Sequence, residues 1–313
     1  MSYHMSQRYS RRTLAAALPL AAMRPAIAQS ATVPVGVATT RFHDHTNSSL
    51  AQELKAQGVR VIQLFFTQKD SNYWKYGLRM DLSALTPERA KEIAGIYRAA
   101  GISIHGLGVY PTLIHPDGAE RTANLSYLEA VMKLGNHMGI RTFISEMGHY
   151  TPPGPAPPVP FDFQDEVWKS AVDTAKELGR LAEANGATVL LEPFYRGFLA
   201  SAKRTRVFLE EVGSPRIRAL LDPANLLEVN DLEEMFSQLQ PWIGGLHAKD
   251  RKLHTAAGVA AGQGDLDYPK FVSLAAKRTP GVPLIIEYAG SKEYRQALAH
   301  LRNVIGQAGM KEG

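Results

Sequence analysis

Leu190-Leu191-Glu192-Pro193 and, thirty residues later, Leu220-Leu221-Asp222-Pro223 repeat one pattern, an apolar run closed by a carboxylate and a proline. Continuous apolar runs of this length are what strands show when both of their faces are covered. Eight such runs occur, at residues 33–38, 59–66, 102–109, 140–144, 188–191, 217–221, 243–246 and 282–286. Between them lie segments with helical periodicity, at 48–57, from 86, at 124–138 and at 163–185, then from about 203, 231, 268 and 292. Thr86-Pro87-Glu88 has the form of a helix start, with Thr as N-cap and Pro in the first turn. The apolar face that follows is Ala90, Ile93, Tyr97 and Ala100, and Gly101 stops it.

Eight strand–helix units in this length predict an α/β fold, a single closed (β/α)8 TIM barrel, for which ~250 residues is typical. An open doubly wound sheet competes, but the segment after the first strand is Thr39-Thr40-Arg41-Phe42, with no glycine-rich phosphate loop. No interior linker divides the chain, so residues 29–313 are expected to form one barrel domain. The proline-rich run at 152–160 follows the fourth strand, where a stiff loop would wall the top of the barrel.

Composition narrows the functional classes. Of 313 residues, 45% are hydrophobic and 21% charged, which is ordinary globular usage. No apolar run approaches the ~18–20 residues that span a membrane. The formal charge of +5 is misleading, because residues 1–28 contribute Arg8, Arg11, Arg12 and Arg24 and no acid, leaving +1 on the rest. No nucleic-acid partner is expected on that balance. The leader has a basic start ending in Ser10-Arg11-Arg12-Thr13-Leu14, an alanine-rich stretch, and then Ala26-Ile27-Ala28, a small-x-small cleavage signal. It resembles a twin-arginine export signal, which implies a periplasmic or secreted protein with no membrane anchor after cleavage. There are no cysteines, hence no disulfide framework and no lipid-anchor thiol.

Four consecutive units place one metal-ligating side chain at the end of a strand: Glu192, Asp222, His247 and Glu287, spaced 30, 25 and 40 residues apart. In a barrel these points converge on the C-terminal mouth. Three carboxylates and one imidazole suit one divalent ion, Mn²⁺, Mg²⁺, Co²⁺ or Zn²⁺. Converging carboxylates repel without a cation, so the convergence itself argues for one.

The motifs LLEP, LLDPAN, HAKD, Gly262-Gln263-Gly264-Asp265 with Leu266-Asp267, and IIEY stand in an order that resembles the sugar phosphate isomerase/epimerase family. This is the xylose-isomerase-like TIM barrel superfamily, which also holds endonuclease IV, hydroxypyruvate isomerase, inosose dehydratase and the ketose 3-epimerases. The resemblance spans the mature chain and is sharp in its second half. It implies that Glu192, Asp222, His247 and Glu287 bind the metal and that Glu192 and Glu287 also act as acid/base groups. One position departs: the epimerases have a histidine three residues after the aspartate, where this chain has Asn225.

A cation that chelates a carbonyl and its neighbouring hydroxyl stabilises the enediolate formed when the adjacent carbon loses its proton. Epimerisation, isomerisation and β-elimination share that step, so an isomerase or epimerase is expected, with a lyase acting on a 3-keto-glycoside as the alternative. Export favours an unphosphorylated sugar or keto-sugar as the small-molecule partner, and a homo-oligomer is compatible with the sequence. An endonuclease IV-like phosphodiesterase needs further histidines, and Asn225 and the lack of Asp-x-His after His247 argue against it. A non-catalytic sugar-binding barrel would have no need of both glutamates. Candidate substrate contacts are Lys249, Arg196, Asn225, Glu146 and Trp74, the last beside Tyr73 and Tyr76 in a segment whose rings could stack on a sugar. Lys249 and Asp250 read equally well as a surface pair, Arg196 as a solvated loop residue, and His149 as loop chemistry. His105 reads as a core histidine, and His43-Asp44-His45 as a polar loop that imitates a chelating pair.

Overall fold

The computed structural model describes residues 32–149, 161–255 and 257–313. The leader and the proline-rich run at 152–160 lie outside the described residues. The chain opens with β1 (Thr32–Val33), β2 (Val35–Ala38), α1 (Asn47–Ala56), β3 (Val61–Leu64), α2 (Pro87–Ala99) and β4 (Ser103–Gly108). It continues through α3 (Gly118–Met138), β5 (Thr142–Ser145), α4 (Asp165–Ala184), β6 (Thr188–Leu191), α5 (Ala202–Val212) and β7 (Ile217–Leu221). The last part holds α6 (Pro223–Leu226), α7 (Leu232–Leu239), β8 (Ile243–Arg251), β9 (Gly258–Ala260), α8 (Tyr268–Arg278), β10 (Leu284–Ile286), α9 (Tyr294–Gln307) and β11 (Lys311–Glu312).

Strands β2 to β8 pair in sequence order, and β10 joins both β8 and β2, so the parallel sheet closes on itself. Ile285 is the seam, in register with His247 on one side and Gly36 on the other. Gly36 is needed there, since a Cβ would stand 2.6 Å from both Ile285 Cδ1 and the Val61 carbonyl oxygen. The closed parallel barrel with surrounding helices is the TIM fold expected from the sequence. Thr86 caps α2 by accepting from the Arg89 amide at 3.2 Å, with Pro87 in the first turn. Among the described residues, no helix is long and apolar enough to cross a membrane.

Strand alternation sorts the side chains into two cores. Leu191, Leu221, Ile286, Leu246 and Ala248 face outward into the layer between sheet and helices. Leu190, Leu220 and Ile285 face inward, with Ala38, Phe65, Tyr110 and Ile144. Residues 192, 222 and 287 lie two beyond an inward residue, so their side chains return to the barrel axis just above the apolar plug.

Several boundaries differ from expectation. Helix α3 starts at Gly118, not at residue 124, because the Asp117 side chain caps it by accepting from the Ala119 amide at 2.8 Å. Strand β8 continues past Leu246 to Arg251 and forms an antiparallel hairpin with β9, pairing Lys249 with Ala260 and Arg251 with Gly258. Hydropathy ends that strand early because Lys249, Asp250 and Arg251 are charged. All three are buried, at 4%, 1% and 2% exposure, since each meets a specific polar partner. Short β1 and β11 pair with each other and tie the two ends of the barrel domain together.

Candidate metal centre and active-site cavity

Glu192, Asp222, His247 and Glu287 come together at the C-terminal mouth, each offering a ligand atom within 4.8 Å of the others. His247 Nδ1 stands 3.2 Å from Glu192 Oε1, 3.6 Å from Glu287 Oε2 and 3.8 Å from Asp222 Oδ2. On the other side of the ring, His247 Nε2 is 2.7 Å from Gln63 Oε1. A carbonyl oxygen only accepts, so Nε2 carries a proton and Nδ1 is the atom turned to the cluster. Asp222 caps α6 through Oδ1, which accepts from the Ala224 amide at 2.9 Å. Its Oδ2 is buried and makes no hydrogen bond, although Lys249 Nζ lies 3.1 Å away out of line.

That orphaned oxygen, His247 Nδ1 and the two glutamates form a donor set fitted to a divalent cation. The electrostatics without a cation show the same demand. Burial pushes the Asp222 carboxyl up to about 6, with Lys249 only partly offsetting it. Burial would lower His247, but the Glu287 and Glu192 carboxylates outweigh it and raise the imidazole to about 9. For Glu192 burial acts upward, and the charges on His247 and Lys249 outweigh it, holding the group below its ordinary value.

Above the cluster opens a cavity of about 460 Å³ whose lining includes Glu146, Glu192, Asn225, Lys249, Arg251 and Glu287. Lys249 Nζ is 3.2 Å from Glu287 Oε2 and 4.3 Å from the centroid of the Tyr288 ring. Asn225 Nδ2 donates to Glu192 Oε1 at 2.8 Å, and the Tyr110 hydroxyl donates to Glu192 Oε2 at 3.1 Å. Asn225 therefore supports the carboxylate from the position where the epimerases carry histidine. Trp74 and Tyr76 also line the cavity. The Tyr76 hydroxyl donates to Glu146 Oε2 at 2.7 Å. Burial, with Glu192 nearby, raises the Glu146 carboxyl to about 7.

Other sequence candidates take different places. Arg196 is exposed, rests 5.3 Å from the Tyr195 ring centroid and does not line the cavity, so it is not brought to the site. Tyr73 packs beside Phe66, with 6.2 Å between ring centroids, and also stays outside. Asp250 is no surface partner of Lys249. Its carboxylate accepts from the Arg251, Leu266 and Gly262 amides at 2.8, 3.0 and 3.2 Å, organising the Gly262-Gln263-Gly264-Asp265 turn. His105 lies in the barrel interior, where register shifts between Ile62/Ile104 and Gln63/Gly106. Its Nε2 has no partner, and burial lowers its pKa to about 4. His43, Asp44 and His45 each hold a different partner, Thr67, Ser291 and Ser49, and do not chelate together. His149 is exposed.

Gln63, Tyr110, Tyr288, Arg41 and Arg251 were missed at the sequence level. Gln63 had a signal, as the lone amide inside the apolar run at 59–66. The others owe their place to loop and hairpin geometry that hydropathy does not encode.

The xylose isomerase-like TIM barrel family matches residues 51–304, and the chain belongs to that family. No curated protein is similar enough in sequence to match it. Among solved structures, the probable 3-DHS dehydratase involved in petrobactin synthesis from Bacillus anthracis is 18% identical. That match has a TM-score of 0.69 and covers 86% of this chain and 97% of the other. D-psicose 3-epimerase from Clostridium cellulolyticum H10, solved with D-tagatose, is 14% identical with a TM-score of 0.66, covering 87% and 99%. A xylose isomerase-like TIM barrel protein from Mycobacterium smegmatis in complex with magnesium is 17% identical with a TM-score of 0.61, covering 88% and 96%. At these identities the likeness is one of fold.

Proposed function

We propose that this chain is a divalent-metal-dependent isomerase or epimerase that acts on an unphosphorylated sugar or keto-sugar by moving the proton on the carbon next to a carbonyl. The observation that carries the reading is that Glu192 and Glu287 belong to one candidate cation cluster and also line the cavity above it. Glu192, Asp222, His247 and Glu287 would hold the ion. When bound, a divalent cation supplies Lewis acidity that makes a proton beside a coordinated carbonyl easier to remove. Glu192, kept ionised by its charged neighbours, is suited to take that proton, and Glu287 to return one or to act from its own side. Lys249 stays charged between Asp222 and Glu287 and is placed to donate to a substrate oxygen. Tyr110 and Asn225 orient the Glu192 carboxylate through their hydrogen bonds. Trp74 and Tyr76 provide apolar ring surface for a sugar.

A second reading, elimination from a keto-glycoside, is favoured by Glu146. A carboxyl raised to about 7 remains partly protonated near neutrality and is suited to protonating a departing oxygen. A dehydratase among the neighbours in fold is consistent with it. The twin-arginine-like leader further supports export to the periplasm or beyond, where unphosphorylated sugars are met.

Incubation with a panel of keto-sugars and keto-glycosides in D₂O tests the reaction. Deuterium should enter the carbon next to the carbonyl in recovered substrate or in an epimeric or isomeric product, and an elimination product should have lost that proton. No exchange or loss of that proton on any substrate that is turned over would overturn the reading.

A further inference from the structure

Arg251 is among the largest fully buried side chains of the barrel, 2% exposed, yet it lines the cavity. Its Nε donates to the Ala224 carbonyl at 2.9 Å, and its Nη1 to the Thr255 carbonyl at 2.7 Å and, more weakly, to the Tyr195 hydroxyl at 3.4 Å. Its guanidinium carbon lies 4.9 Å from the Tyr195 ring centroid. These contacts fix the fork but neutralise nothing. Among the described residues, no carboxylate lies within ion-pairing distance of Arg251, and none accepts a hydrogen bond from its Nη2. A guanidinium withdrawn from water without a counter-charge is costly, and folds tolerate it where an anion completes the site.

The surrounding charges agree. One divalent cation together with Lys249 would balance Glu192, Asp222 and Glu287 to a neutral set. Of the other charged residues among those described as lining the cavity, Arg251 and the exposed Arg41 are cationic and Glu146 alone is acidic. Arg41 is likewise without a carboxylate partner among the described residues, its guanidinium carbon 4.5 Å from the Tyr288 ring centroid and its Nη1 on the Tyr288 carbonyl at 3.3 Å. Position adds a constraint. His247, Lys249 and Arg251 alternate along one face of β8, so Arg251 stands four residues, roughly 13 Å along the strand, beyond the metal-facing histidine.

We propose that the substrate carries a carboxylate, received by Arg251, at the end of the molecule away from the reacting carbonyl. This rests on the sugar-enzyme reading above and narrows its substrate class to acidic sugars. A carboxylate suits the site better than a phosphate: Nη2 is the one guanidinium nitrogen left without an acceptor, and the described residues lining the cavity include no glycine-rich loop of amides to share a dianion.

Calorimetric titration of the metal-loaded protein with D-glucuronate, D-galacturonate and D-mannuronate, each against its uncharged amide, tests this. At least one acid should bind about tenfold more tightly than its amide. Arg251→Gln should lose that preference while retaining the bound metal, and Arg251→Lys, which keeps the charge but not the fork, should retain part of it. Should Arg251→Gln not fold, the wild-type preference and its reduction in Arg251→Lys decide. Equal binding of every acid and amide, or no binding by any acid, overturns the proposal. So does a preference that survives undiminished in the variants, which would put the carboxylate on the cation. Tighter binding of D-glucose 6-phosphate than of any hexuronate would make this a phosphate site and overturn it too. The titration reads binding and the D₂O experiment reads proton transfer, so each can fail without the other.

Discussion

Gln63 receives a hydrogen bond from His247 Nε2 at 2.7 Å across the barrel interior, and this one contact decides which ring nitrogen meets the cation site. Neither residue is exposed, both being at 0%. The imidazole is thus fixed in direction before any ion arrives, with Nδ1 the nitrogen whose proton must leave for the ion.

Replacing Gln63 with Leu should leave the barrel folded and weaken divalent-cation affinity roughly 10- to 100-fold, the usual cost of losing the partner behind a ligating histidine. Titration of the metal-stripped protein with Mn²⁺ measures it. Unchanged affinity would show that packing alone orients the ring.

Cation affinity should depend steeply on pH. In the cation-free site His247 titrates at about 9 and Asp222 at about 6, and both protons must leave for the ion to bind. Affinity should therefore fall about tenfold per unit as pH drops from 9 towards 6, and more steeply below 6. A flat affinity across that range would contradict the ligand assignment.

Glu192→Gln and Glu287→Gln should each keep most of the bound metal, since the amide oxygen remains a ligand, while turnover falls ~10²–10⁴-fold through loss of the basic carboxylate. Metal content and exchange in D₂O, measured on the same preparations, separate the two effects. Wild-type exchange in both variants would remove the glutamates from the chemistry.

Glu146 gives a stability test. Its pKa rises from 4.5 to about 7 on folding, chiefly through burial, so between those values the folded chain binds more protons than the unfolded one. The stabilisation from the protonated group is complete below about 4.5 and is lost as pH rises through 7. Glu146→Gln should flatten this part of the stability profile. Denaturant unfolding across that range would show it, and profiles of equal slope would refute the assignment.

Arg11→Lys with Arg12→Lys should block export while leaving the barrel folded inside the cell. Fractionation followed by thermal unfolding of the retained protein reads both, and normal export of the double variant would remove the twin-arginine assignment.

The barrel and the convergence of four candidate ligand positions were legible in the chain because strand alternation is local arithmetic. A carboxylate two residues past an inward leucine must face inward, and Leu190–Glu192, Leu220–Asp222 and Ile285–Glu287 all obey this. Lys249 follows the same rule from His247. Helix starts such as Thr86-Pro87 were legible for an equally local reason, because the cap and the first turn are adjacent in sequence.

What the sequence by itself determined, then, is the closed barrel and the convergence of Glu192, Asp222, His247 and Glu287 as a candidate cation site, features carried by short-range patterns repeated in consecutive units. Tertiary structure alone decided the rest. It assigned Asp250 to hold the Gly262–Asp265 turn, left Arg196 in solvent and carried β8 on to bury Arg251 in the cavity. It also set Gln63 behind His247, from a residue 184 positions away. The physical reason is burial of charge: hydropathy treats Lys249, Asp250 and Arg251 as surface, and only distant carboxylates, amides and carbonyls arriving from other strands and loops make their burial tolerable.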